Sequence, residues 1–174
     1  MKKIILLAIL ALACATVTQK TYAQNAIHIS ADAGAVLKTN RDKSLGVGGT
    51  IGVMVQDNFF FIEPTNYLTF SIKGFNNPYG DGKILSSVLN GKDDAFNYIS
   101  FLAGYRITQG DLSYGWYLEP HLGYTAGTTG YGAFTLAPSG GYAYDDFDLG
   151  VFLDMGFGGK ANHTFGGKNF YTLG

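Results

Sequence analysis

The stretch that decides the fold is Tyr114-Gly-Trp-Tyr-Leu-Glu-Pro-His-Leu-Gly-Tyr-Thr-Ala126. Taking alternate residues separates it into two sets. Tyr114, Trp116, Leu118, Pro120, Leu122, Tyr124 and Ala126 form an apolar series with aromatic rings near both ends. Gly115, Tyr117, Glu119, His121, Gly123 and Thr125 form a series that mixes glycine with ionisable groups. A period of two is the mark of a β-strand with unlike surroundings on its two faces. Aromatic-ended apolar residues on one face, opposed by glycine and charge, fit a strand set between lipid and a small polar lumen.

The same alternation recurs through the chain. Candidate strands run over 27–38, 45–56, 59–73, 97–108, 114–126 and 147–158, and a further one begins at 169. In the first, Ile27, Ile29, Ala31 and Ala33 oppose His28, Ser30, Asp32 and Gly34. Pro64 in the third predicts a bulge or a lost ladder bond, or a split into two strands. Asp57-Asn58 reads as a tight turn. The segments 74–94 and 127–145 read as long loops, the second carrying Tyr131, Phe134, Tyr142 and Tyr144 either as a contact surface or as strand extensions. Alternating short and long connections match an outer-membrane barrel.

Composition agrees. The 174 residues suffice for one domain, with charged residues at 14%, aromatics at 15%, 25 glycines and only 4 prolines. Soluble domains carry roughly 25% charged residues. A net charge of −1 gives no electrostatic reason to expect a nucleic-acid partner. Mean hydropathy is +0.09, and beyond residue 13 no apolar run approaches the roughly 20 residues a spanning helix needs. The start of the chain reads as a signal peptide over 1–23: Lys2-Lys3, then apolar Ile4 to Ala13, then Thr21-Tyr22-Ala23 before Gln24. The barrel domain is then 24–174. Ala11-Leu12-Ala13-Cys14 offers a lipoprotein alternative. Without Cys14 the mature chain has no thiol and no cysteine metal site.

The predicted fold is thus an all-β, antiparallel, up-and-down transmembrane barrel of the outer membrane. A soluble β-sandwich alternates too, but its outer faces should be the polar ones. Inward glycines such as Gly46, Gly52, Gly104 and Gly123 leave room for large polar groups in a narrow interior. The expected lumen network comprises Glu63, Arg106, Glu119, His121, Asp32 and Asp154, with Arg106 bridging Glu63 and Glu119. The expected interfacial aromatics are Tyr105, Tyr114, Trp116 and Phe157 at the periplasmic ends, and Tyr124, Phe70 and Phe147 at the opposite ends.

Glu119 and His121 lie on one face, as an acid-base pair would, but inward groups do not reach a lipid substrate, so no catalytic residue is assigned. The three histidines form no metal motif. Gly46-Val47-Gly48-Gly49 is not a dinucleotide fingerprint. No cofactor is expected. The expected partners are outer-membrane lipid and the barrel assembly machinery, with any extracellular ligand unassigned. A lipid-modifying outer-membrane enzyme and a soluble periplasmic protein or lipoprotein remain as alternatives.

Three segments, Phe61-Ile62-Glu63-Pro64 with Leu68 to Gly74, Tyr98 to Arg106, and Asp146 to Gly158, together resemble the PorT-like outer-membrane β-barrel family of Bacteroidota. The resemblance implies an eight-stranded barrel. Such barrels finish on a strand with a terminal aromatic, whereas this sequence reads Thr172-Leu173-Gly174. Six full strands and part of a seventh imply either a truncated sequence or a miscounted strand, at Pro64 or within 127–145.

Overall fold

The computed structural model describes residues 25–37, 45–57, 66–78, 95–109, 112–127, 130–145, 147–158 and 167–174. They form a closed antiparallel β-barrel whose wall has eight staves. The first four staves are single strands, β1 (Ala26–Val36), β2 (Gly46–Gln56), β3 (Tyr67–Pro78) and β4 (Ala95–Thr108). The fifth is β5 (Tyr114–Glu119) followed by β6 (His121–Gly127), and the sixth is β7 (Tyr131–Leu136) followed by β8 (Ser139–Tyr144). Then come β9 (Phe147–Phe157) and β10 (Phe170–Leu173). Neighbours in sequence pair in space, and β10 closes the ring by pairing with both β9 and β1. The end of the barrel at Ala26 is called lower here, and that at Val36 upper.

The fifth and sixth staves are each interrupted by proline without a change of register. Glu119 opposes Ser139 and Leu122 opposes Leu136, so Pro120 lies beside Pro138. The Tyr105 amide donates to the Pro120 carbonyl at 3.2 Å, and the Leu153 amide to the Pro138 carbonyl at 2.9 Å. Neither proline has an N–H to return. Both rings sit on the outer face, where the missing donor removes a bond from the wall rather than disturbing the interior.

Several expectations are corrected. The segment 127–145 is not a loop: it carries the sixth stave, and this supplies the miscounted strand. Phe134, Tyr142 and Tyr144 point outward from the wall, while Tyr131 is buried inside it. The added stave reverses the direction of the following strand. Phe157 therefore lies at the upper end, edge-on to Tyr171, and Phe147 lies at the lower end opposite Tyr144. These two aromatics are exchanged relative to the expected girdles. The third strand is shifted, pairing from Tyr67 to Pro78 with Arg106 to Ala95, so 74–78 belongs to the wall. Asp57 does not open a two-residue turn, since its amide bonds the Asn66 carbonyl at 2.8 Å. Glu63 and Pro64 lie outside the described residues, as do His163 and the leader.

The direction of each face agrees with the alternation in the sequence. Ile51, Val53, Phe70, Ile72, Phe101 and Leu122 are exposed on the outer wall. The alternate residues that point inside, among them Thr69, Lys73, Ser100 and Thr125, are buried. This is the reverse of a water-soluble barrel.

Candidate functional site: the barrel lumen

The interior has three levels, each set by which side chains the inward positions supply. The upper level is aromatic. Phe75, Phe96, Tyr98, Tyr131 and Phe170 are buried together, with Phe152 packed against them. Ring centroids lie 5.1 Å apart for Tyr98 and Phe170 and 5.4 Å for Phe75 and Tyr98, within the range of favourable aromatic pairs.

Below the rings lies a level of buried polar bonds. Lys73 Nζ is 2.8 Å from Asp154 Oδ2 and 3.1 Å from the centroid of the Phe152 ring. The Tyr98 hydroxyl donates to the same Asp154 oxygen at 2.6 Å. At nearby height three hydroxyls join neighbouring staves, with Thr125 Oγ1 at 2.6 Å from both Ser100 and Thr135. A charge in such surroundings persists only when paired and hydrogen-bonded. Asp154 supplies both to Lys73.

The lowest level holds Arg106, which is 1% exposed. Its guanidinium lies 2.7 Å from Asp148 Oδ2 and 3.9 Å from Glu119 Oε2, and 3.8 Å above the Tyr117 ring. His121 Nε2 is 3.0 Å from Glu119 Oε1 and 3.2 Å from Thr69 Oγ1, while Nδ1 is 3.2 Å from the Ala137 carbonyl. A carbonyl only accepts, so Nδ1 carries a proton. Gly104 sits beside this ring. A Cβ there would collide with His121 and with the Pro120 carbonyl. Gly104→Ala is expected to push the imidazole off Glu119 and to destabilise by about 1–3 kcal/mol. Chemical denaturation of the refolded protein measures this, and an unchanged midpoint would show that the ring is free to move.

Between these levels is a cavity of about 200 Å³, bounded by Ser30, Asp32, Thr50, Ser71, Glu119 and His121 among others. Asp32 is held by hydroxyl donors, Ser30 at 2.9 Å and Thr50 at 2.7 Å.

The expected network is therefore divided. Arg106, Glu119 and His121 meet in the lower lumen. Asp154 belongs to the level above with Lys73, and Asp32 bonds hydroxyls instead of a cation. The nearest partner of Arg106 is Asp148, an inward residue that the strand pattern alone left unassigned. Its selection depends on which staves face each other across the ring, and that required the sixth stave. On the outside, Tyr105, Tyr114 and Trp116 lie toward the lower end. Tyr114 packs edge-on to Tyr144 and Trp116 to Tyr142, with centroids 5.5 and 5.2 Å apart. The Tyr105 hydroxyl donates to Asp57 at 2.6 Å. Tyr124 lies toward the upper end opposite Phe101 and Phe134.

The Thr69–His121–Glu119 contacts do not form a catalytic relay. In a relay one imidazole nitrogen faces the hydroxyl and the other faces the carboxylate. Here the hydroxyl and the carboxylate share Nε2, and Nδ1 is committed to the backbone. Among the described residues no three His, Cys, Asp or Glu side chains come together as a metal site. Comparisons with protein-family models, with curated proteins and with solved structures find no match.

Proposed function

We propose that this chain is an integral outer-membrane β-barrel protein, exported by the leader at 1–23, with a structural or surface-binding role and a filled, non-catalytic lumen. One observation carries the reading. The side chains with the greatest affinity for hydrocarbon face outward all round the wall, and the charges face inward, with Arg106, Lys73 and Asp154 each at most 4% exposed. In water that arrangement leaves a large apolar belt uncovered, whereas in a bilayer it is the stable one. A closed ring of strands is also one of the two backbone forms that satisfy their own hydrogen bonds in lipid. Outward Tyr114, Trp116, Tyr142 and Tyr144 at the lower end match an interfacial girdle. The proposed partners are outer-membrane lipid and the machinery that assembles barrels, and the proposed kinship is with PorT-like barrels.

The test is electrophoretic. Full-length protein from an outer-membrane fraction is expected to migrate faster unheated than boiled, because a folded barrel resists detergent at room temperature. Recovery in the soluble fraction, with migration independent of heating, overturns the proposal.

A further inference from the structure

The contacts that rule out a catalytic relay at His121 are those of a metal ligand. Its Nδ1–H is given to the Ala137 carbonyl at 3.2 Å, so in the neutral ring Nε2 carries the lone pair. A histidine that binds a metal almost always donates its other N–H to a carbonyl or carboxylate in this way. Beside Nε2 lie Glu119 Oε1 at 3.0 Å and Thr69 Oγ1 at 3.2 Å, and Thr69 hydrogen-bonds Glu119 as well. Two ligands each about 2.1 Å from a shared ion lie about 3.0 Å apart at a right angle and about 3.4 Å apart at the tetrahedral angle. Both measured edges fall in that window. The second Glu119 oxygen lies toward Arg106 Nη1, 3.9 Å away, which leaves Oε1 for an ion.

Two further observations point to a cation. Thr69, Glu119 and His121 all line the lumen chamber, where water can complete a coordination shell. Ser71, on the same inward face as Thr69, lines it too, and its buried Oγ has no hydrogen-bond partner. A metal-bound water supplies one. The second observation is charge. Below the ring level the inward carboxylates among the described residues are Asp32, Glu119, Asp148 and Asp154, and the inward cations are Lys73 and Arg106. With the carboxylates ionised and the histidines neutral, the described lumen lacks two positive charges. One divalent cation supplies both, and buried charge persists only when paired.

We propose that His121 Nε2, Glu119 Oε1 and Thr69 Oγ1 bind Zn²⁺, with water in the remaining positions. An imidazole among oxygen ligands suits zinc, whereas calcium and magnesium take oxygen alone. Only two of the ligands are His or Glu, and the hydroxyl takes the third position. The ligands stand on β3, β5 and β6, each paired with a strand on both sides. Glu119 and His121 flank Pro120, so the ion ties both sides of the proline break to β3. It is a structural rivet and not a reaction centre. The proposal goes beyond the membrane assignment and does not depend on it.

The test titrates full-length protein, without a histidine tag and isotope-labelled at histidine, with zinc chloride in detergent micelles. Zinc is expected to shift the ring-nitrogen resonances of His121 and to leave those of His28 in place. His121→Ala and Glu119→Gln are each expected to weaken zinc binding by at least about tenfold. Thr69→Val is expected to weaken it to a smaller degree, and His28→Ala to leave it unchanged. Absence of a shift at His121 in wild-type protein at millimolar zinc overturns the proposal, and this reading needs no variant to fold. Equal shifts with magnesium chloride would mean general screening of lumen charge and overturn it as well. So does zinc affinity that survives His121→Ala, which places the ion elsewhere. Unchanged affinity in Thr69→Val overturns the assignment of the hydroxyl to the shell.

Discussion

Asp154→Ala is expected to destabilise the barrel by about 3–5 kcal/mol, because it leaves the Lys73 charge buried without its counter-ion. Lys73 is 4% exposed and the carboxylate is its only ion-pair partner among the described residues. The Phe152 ring beneath Nζ contributes cation–π attraction, on the order of 2 kcal/mol when desolvated, which does not replace a carboxylate. The Tyr98 hydroxyl loses its acceptor as well. The double variant Lys73→Met with Asp154→Leu is expected to recover most of the loss, since an apolar pair of similar volume is often as stable as a buried ion pair. Its residual deficit should be about 1–3 kcal/mol, for a Tyr98 hydroxyl left unbonded. Denaturant midpoints for wild type, both single variants and the double variant give the coupling directly. An Asp154→Ala midpoint equal to wild type would show that water reaches Lys73 and that this level of the lumen is not dry.

The second large effect separates a bilayer protein from a soluble one. Leu122 faces outward at mid-height, opposite Ala103 and Leu136, and is 55% exposed. In lipid vesicles Leu122→Arg is expected to lower folding stability by about 2–4 kcal/mol, the penalty for Arg near the midplane of a membrane barrel. Tyr114→Arg, at the lower rim, should cost about 0–1 kcal/mol. A soluble barrel would show little difference, because surface substitutions away from special features fall within about 0.5 kcal/mol. Comparing the two variants in vesicles tests depth rather than mere presence of charge. Equal, small losses at both positions would remove the membrane reading.

The parity of the wall was legible in the sequence because six staves carry large apolar residues on one face. Ile51 and Val53, or Phe101 and Ala103, declare that face without ambiguity. The sixth stave carries the same alternation in a weaker form. Apart from Tyr131 at its upper end, its inward residues are small, Ala133, Thr135, Ala137, Ser139, Gly141 and Ala143, and Gly132, Gly140 and Pro138 interrupt the outward set. Small residues are needed there because large rings and Arg106 fill the lumen from other staves. The property that makes room inside the barrel therefore erased the signal for a strand. Missing that stave reversed the next one, which exchanged Phe147 with Phe157 and hid Asp148 from Arg106. Glu119 and His121 were legible as lumen neighbours because they sit on one strand. Lys73 with Asp154 was not, because the pair forms only when the ring closes.

The stacked rings of the upper level divide the interior into two separate compartments. Phe75, Phe96, Tyr98, Tyr131 and Phe170 meet across the full width of the lumen, and an ion would have to shed its hydration among hydrocarbon faces to pass. Among the described residues, passage along the barrel axis is therefore stopped at the ring level, and the Asp32 and His121 chamber lies wholly on one side of that stopper.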